Sequence, residues 1–381
     1  MMKKIYYIAN ARMPTERAHG IQLAKMCEAF LDIGVPLTLV VPKRKTVGEQ
    51  VASFYGLARE IPIVKLPIID TFLFGRLGFI FGTISFMASY SVFLLRKKLS
   101  GEDFVVYTID MDQFSFLPLI IFNIPYVIEV HDAKPKRFLF RLLFRRARAV
   151  MVINRLILEK IHRYFNVPKH HIFVVPNAID PNFMNKAQLR DAFRKKEGIP
   201  PKAFLLLYVG KFYEWKGFEI LYQLAQDLDP SVNIGLVGGS KEELEELIGK
   251  HVPENIFCFG ARPYEEVPSW IEASDALLVL GTKANEYSYY HTSPMKLFEY
   301  LVSGRPIIAS KTPAICDIVS EKEVLFYMPD DKEDLKRAIL RVQSNPASFH
   351  NRVKAAKELS TSFTWHSRAK KINQFIKDRL S

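Results

Sequence analysis

The chain has 381 residues, of which 49% are hydrophobic and 24% charged, a mixture that buries a core and excludes wholesale disorder. Its three cysteines, Cys27, Cys258 and Cys316, are far apart, which argues against a zinc ribbon or a disulfide framework and fits a reducing compartment. The net charge is +13, and residues 1–180 carry 25 basic against 14 acidic side chains, so the positive half is expected to meet something anionic.

The start, MMKKIYYIAN, has an apolar run too short for a signal peptide and reads as a first strand. A polar loop, ARMPTERA, leads into the amphipathic segment HGIQLAKMCEAFLDIG, closed by Gly34. PLTLVVP is the second strand. Residues 77–95 hold nineteen residues without a charge, long enough to span a bilayer. They link strand candidates of one α/β unit and contain Gly78, Gly82, Ser85, Ser89 and Ser91, so a buried or membrane-dipping helix is expected instead. FVVYTI and YVIEV follow as strands. Residues 134–148, KPKRFLFRLLFRRAR, have seven basic residues and no acid, the signature of a helix lying on a membrane surface. The alternative is a sheet-covering helix with a solvated basic face. AVMVIN and IFVVPN complete a series of β-branched runs that indicates a parallel sheet covered on both faces.

The polar stretch 181–201 reads as a linker. The pattern then restarts with FLLLYVG, NIGLVGG, IFCFG, ALLVLG, PIIAS and VLFYM. The expected architecture is α/β: two doubly wound, Rossmann-like domains, 1–180 and 202–362, facing across a cleft, with an amphipathic segment at 363–381. In such sheets ligands bind at the carboxyl ends of the strands.

Two segments sit where chemistry belongs. In TSPMKLFEYLVSGRP, residues 292–306, Thr292 or Ser293 is expected to cap a helix, Pro294 to open it and Gly304 to end it. Its free amides would receive an anion, and Glu299 would accept two hydrogen bonds from a ribose diol. In YVGKFYEWKG, residues 208–217, Lys211 and Lys216 flank a loop after a strand, placed to neutralise a diphosphate. Asp110-Met111-Asp112 and Asp227-Leu228-Asp229 resemble metal-binding DxD pairs but read as structural. His162, His170 and His171 lack an acidic partner cluster, and no GxSxG elbow supports a serine hydrolase.

VGK…WKG, SPMKLFEYLVSGRPIIAS, VVPNAID and GARPYEEVPSWIEASDALLV, in this chain order, resemble glycosyltransferase family 4, retaining enzymes of the GT-B fold that use nucleotide sugars. The resemblance implies catalytic or phosphate-facing roles for Lys211, Lys216 and Glu299, and a sugar-facing role for His131. It implies a donor site that includes Gly210, with Arg262 and Pro263 at the base and His291, Ser293, Pro294, Met295 and Lys296 at the diphosphate and sugar. Asn10, His19 and Gly20 match the loop near the reaction centre. Where the family carries a first glutamate, eight residues before Glu299, stands His291. The last helix of the family crosses back to the first domain, with Trp365 here expected to anchor it.

The resemblance thus implies a hexosyltransferase that takes a UDP- or GDP-sugar and needs no metal or other cofactor. Its acceptor would be a lipid-linked saccharide or envelope glycolipid, on the inner face of the cytoplasmic membrane. Its first domain would hold the acceptor and contact anionic lipid; nucleic acid is not an expected partner. The alternative is a non-catalytic GT-B protein that binds nucleotide or docks on a membrane.

Overall fold

The computed structural model describes residues 3–15, 18–44, 50–69, 75–112, 114–229 and 231–380. They fold as two compact units, Met1–Val175 with Trp365–Ser381, and Pro176–Thr364.

The first unit is built on seven strands: β1 (Lys4–Ile8), β2 (Leu37–Pro42), β3 (Ile63–Leu66), β4 (Phe104–Ile109), β5 (Tyr126–Val130), β6 (Ala149–Val152) and β7 (Ile172–Val174). All neighbours are parallel, in the order β3-β2-β1-β4-β5-β6-β7. The second has six: β8 (Phe204–Val209), β9 (Val232–Val237), β10 (Ile256–Cys258), β11 (Ala276–Val279), β12 (Ile307–Ser310) and β13 (Leu325–Tyr327). Their order, β10-β9-β8-β11-β12-β13, is again all parallel. Helices cover both faces, which is why the strands read as unbroken apolar runs. Along β8, Leu205, Leu207 and Val209 enter one core while Leu206 and Tyr208 enter the other, the two-residue alternation of a strand. In each sheet the order reverses beside the first strand, so each unit has a crevice at the carboxyl ends, between β1 and β4 and between β8 and β11.

Several expectations change. β3 is absent from the sequence reading because it is an edge strand of four residues between Pro62 and Pro67, with Lys65 exposed. The apolar stretch 77–95 lies in the helix Gly75–Leu99. Phe86, Tyr90 and Leu94 are buried in the core, while Ile80, Phe81, Ile84 and Val92 are exposed. Among the described residues no helix is long and apolar enough to cross a membrane. The basic segment is helical only over Phe138–Arg146. Phe140, Leu143 and Phe144 cover the sheet, and Arg137, Phe138, Arg141 and Arg145 face outward.

Residues 181–201 are no loose linker. They contain a turn, Phe183–Lys186, and a helix, Arg190–Lys196, packed into the second unit. Arg194 explains it: buried to 1%, it donates to the carbonyls of Ala273, Pro201 and Ala203 and pairs with Asp275 at 2.7 Å. The helix Trp365–Leu380 belongs to the first unit and packs on the helix Ala18–Asp32.

Candidate active site

The second unit gathers its polar residues at the crevice between β8 and β11. β8 ends at Val209, and Gly210 turns the chain with φ +136°, a conformation that side chains other than glycine rarely adopt. A Cβ there would also lie 2.8 Å from Lys296 Nζ. Lys211 is exposed. The short turn Glu214–Lys216 follows and is closed by Gly217, whose added Cβ would meet Thr282 at 2.9 Å, so the turn sits directly on the loop after β11. This buries Lys216, with Nζ 3.8 Å from the centre of the Trp215 ring. Burial pulls its pKa from 10.5 down to about 7.

From β11 the chain passes through a π-helical turn, Tyr287–His291, into the helix Met295–Leu301. Lys296 reaches back so that Nζ stands 3.3 Å from the centre of the Tyr208 ring. That nitrogen is buried without a hydrogen-bond partner. Burial, and then the nearby Lys216 ammonium, hold its pKa well below 10.5. Three residues on, Glu299 is 6% exposed. Burial raises its carboxyl to about 7, opposed by a hydrogen bond from Tyr264 and by the charge of Lys296. Tyr208 Oη, Ser293 Oγ and Asn177 Oδ1 are also buried without partners. Asn177 Nδ2 donates to the Ser293 carbonyl at 2.8 Å, so these two orphans are neighbours. Native proteins pair nearly all buried polar groups, so orphans gathered here make this crevice the candidate place for a polar ligand.

The structure thus groups Gly210, Lys216, Lys296 and Glu299 within the second unit. Lys211 lies on their rim. His291 is buried, with Nε2 4.0 Å from Glu286 Oε1. Arg262 is held inside the unit: it pairs with Glu197 at 3.0 Å, donates to the Phe259 carbonyl and stacks over Trp270. Pro263 starts the turn Tyr264–Glu266 and so sets the position of Tyr264. The expected cap is not made: the residue ahead of the helix is Pro294, Met295 is its first residue, and no side chain caps it. The Ser293 hydroxyl stays unpaired.

In the first unit, Asn10 follows β1, accepting from Arg44 at 3.1 Å and donating to Thr83 at 3.3 Å. His19 is exposed on the first helix, and Gly20 is packed so closely that a Cβ would lie 2.3 Å from Tyr55 Oη. Residues 16 and 17 of the loop before them lie outside the described residues. His131 follows β5, its Nε2 2.5 Å from Glu129 Oε1. The DxD aspartates are engaged: Asp110 accepts from the His131 amide and Lys134, Asp112 from the amides of Phe114 and Ser115. Asp227 pairs with Lys332, and Asp229 accepts from the Ser231 amide.

Sequence reasoning missed Tyr208, Tyr264 and Asn177, and the side chain of Lys296, considered only for its amide. It also missed Glu129, although a carboxylate inside the apolar run YVIEV is a signal in itself, since a buried charge demands partners.

Residues 190–359 match the model of the family described as glycosyl transferases group 1. The matched stretch lies wholly within the second unit. An uncharacterized glycosyltransferase of Methanocaldococcus jannaschii is 26% identical over 162 residues, 42% of this chain and 44% of its own. The chain therefore spans about half the length of that relative. The alpha-galactosylglucosyldiacylglycerol synthase of Streptococcus pneumoniae is 22% identical over 299 residues, 74% of this chain and 72% of its own. Among solved structures, Anabaena HepE in complex with UDP and glucose resembles this chain with a TM-score of 0.74, at 16% identity, over 99% of this chain and all of that one. Two Rossmann-like parallel sheets of this kind make the GT-B fold.

Proposed function

We propose that the protein is a retaining glycosyltransferase that moves a hexose from a UDP- or GDP-sugar to a lipid-linked saccharide or envelope glycolipid, on the inner face of the cytoplasmic membrane. The observation that carries this reading is the buried set of Lys216, Lys296 and Glu299, with unpaired Tyr208 Oη and Ser293 Oγ, at the crevice of the second unit.

When the sugar leaves, negative charge grows on the β-phosphate of the nucleoside diphosphate. In this reading the buried amines of Lys216 and Lys296 would lie beside that position, with Lys211 at the rim, and once protonated a dry cation stabilises growing charge more than a hydrated one does. A phosphate in turn favours the protonated lysines, so binding draws protons in. The ammonium groups supply the positive charge that a divalent cation brings elsewhere, and turnover is expected to survive EDTA. Glu299 would accept the ribose hydroxyls. In this reading His291, with Glu286 beside it, would face the sugar, and His131, Asn10 and His19 would serve the acceptor and sugar from the first unit.

The donor names of the neighbours support a nucleotide ligand, HepE with UDP and glucose, and the S. pneumoniae synthase supports a glycolipid product. The test is thermal-shift binding of UDP, GDP, ADP and dTDP, with and without EDTA, to wild type and Glu299→Ala. One nucleotide is expected to raise the melting point irrespective of EDTA, by about 2.7 kcal/mol of stability at a hundredfold excess over Kd, and Glu299→Ala to lose the effect. No shift with any nucleotide sinks the reading. Binding without consumption of the matching sugar donor, over a panel of lipid acceptors, favours the non-catalytic alternative.

A further inference from the structure

The first unit contains a buried polar chain that no nucleotide site explains. Glu129, on β5, is completely buried. Its Oε1 accepts from Arg368 Nη2 at 2.6 Å, from Gln22 Nε2 at 3.1 Å and from His131 Nε2 at 2.5 Å. Tyr107 Oη donates to the other oxygen. Arg368 comes from the terminal helix and is itself 3% exposed, also touching Met26 Sδ at 3.0 Å. His131 is the member that reaches the surface, with 16% of its side chain exposed. Its backbone N–H is fixed by Asp110 Oδ1 at 3.0 Å, which Lys134 also grips at 2.9 Å.

We propose that Arg368 and Glu129 are positioning residues that hold His131 as the Nε2–H tautomer, leaving Nδ1 as its hydrogen-bond acceptor for a hydroxyl of the sugar or acceptor. This rests on the reading that His131 faces the reaction. Burial alone would raise the Glu129 carboxyl, but Arg368 and then His131 hold it well below the usual range, so it is ionised and accepts only. The proton between Glu129 Oε1 and His131 Nε2 therefore belongs to the imidazole. A carboxylate behind a histidine fixes both its ring orientation and its tautomer, and a ring with the wrong nitrogen protonated offers a donor where an acceptor is needed. Gln22 Nε2, 3.0 Å from His131 Nε2, is a donor nitrogen and cannot replace Glu129 as the acceptor. The groups that face Glu129 are thus Arg368, His131, Gln22 and Tyr107, with Tyr7 close enough to feel its charge.

The test uses the full chain labelled with 15N-histidine, the His131 signals identified by their loss in His131→Asn. Wild type is expected to carry the proton on Nε2. The double variant Glu129→Leu/Arg368→Met removes both buried charges together, so neither is left unpaired in the core. Its His131 proton is expected to redistribute toward Nδ1, with kcat down by about 10²-fold. The donor KM is expected to hold, because Lys216, Lys296 and Glu299 belong to the other unit. Arg368→Lys, which keeps a cation, is expected to restore the Nε2–H signal and most of kcat. A wild-type His131 protonated on Nδ1, or an unchanged Nε2–H signal in the folded double variant, overturns the proposal. The spectra need no turnover, so they fail independently of the transfer reaction.

Discussion

Burial shifts Lys216 and Glu299 in opposite senses. Burial lowers Lys216 from 10.5 to about 7, so below pH 7 both folded and unfolded chains carry its proton and the folded state bears the full cost of a dry cation. As pH rises from 7 to 10.5 the unfolded chain loses its advantage and this cost fades. Burial raises Glu299 from 4.5 to about 7, so its cost appears as pH climbs from 4.5 to 7 and is complete above 7. Without nucleotide, Lys216→Met is expected to flatten the alkaline rise in melting temperature. Glu299→Gln is expected to flatten the fall between pH 4.5 and 7. Scans of wild type and both variants from pH 4.5 to 10.5 decide it. The same Lys216→Met is expected to lower kcat by about 10²–10³-fold, the usual cost of deleting one group that stabilises transition-state charge, measured as sugar transfer at saturating donor. Buried charges that cost stability at a candidate site are the ordinary trade between stability and function.

At the scale of elements, the loops after β8 and β11 do the positioning, and each depends on a glycine where another side chain has no room. Gly210→Ala is expected to push Lys296 Nζ aside and strain a φ of +136°; nucleotide titration by calorimetry is expected to show binding lost while the melting curve stays cooperative. The helix Arg190–Lys196 depends on Arg194 in the same way. Arg194→Ala leaves several buried carbonyls unpaired, and a loss of about 3–5 kcal/mol in urea unfolding is expected. Twelve of the thirteen strands among the described residues were legible because buried parallel strands are long apolar runs, whereas β3 was hidden between two prolines. Lys216 and Glu299 were legible by their motifs. Lys296 as a side chain, Tyr208 beneath it and the tie from Glu129 to Arg368 were not, because each depends on which residues the fold brings together over long separations. The polar 181–201 looked like a linker because an arginine that saturates carbonyls leaves the same trace in sequence as one in water.

At the scale of the whole molecule, charge and exposed apolar groups coincide in the first unit. Ile69, Phe114 and Phe138, at 65%, 51% and 77% exposure, follow β3, β4 and β5, so all three lie toward the carboxyl edge of one parallel sheet. Phe81, at 57%, lies on the helix that follows β3. The outward basic residues of Phe138–Arg146 belong to the same region, and each near an anionic surface is worth about 1 kcal/mol. Sedimentation with vesicles rich in anionic lipid is expected to show binding that weakens as salt rises, and Phe138→Ser with Arg141→Glu is expected to reduce it at least tenfold. Equal binding to neutral vesicles contradicts this. The order in which the chain visits its two units has a separate consequence. The first unit is interrupted after Val175 and resumes at Trp365, so the second is an insertion inside it. During synthesis residues 176–364 have everything they need to close on their own core, while Glu129 waits for a counter-charge 239 residues downstream. The unit that begins first is therefore completed last. A chain that ends at residue 364 already holds the core residues of the second unit, yet leaves Glu129, which the finished fold buries against Arg368, open to whatever chaperone or protease meets it.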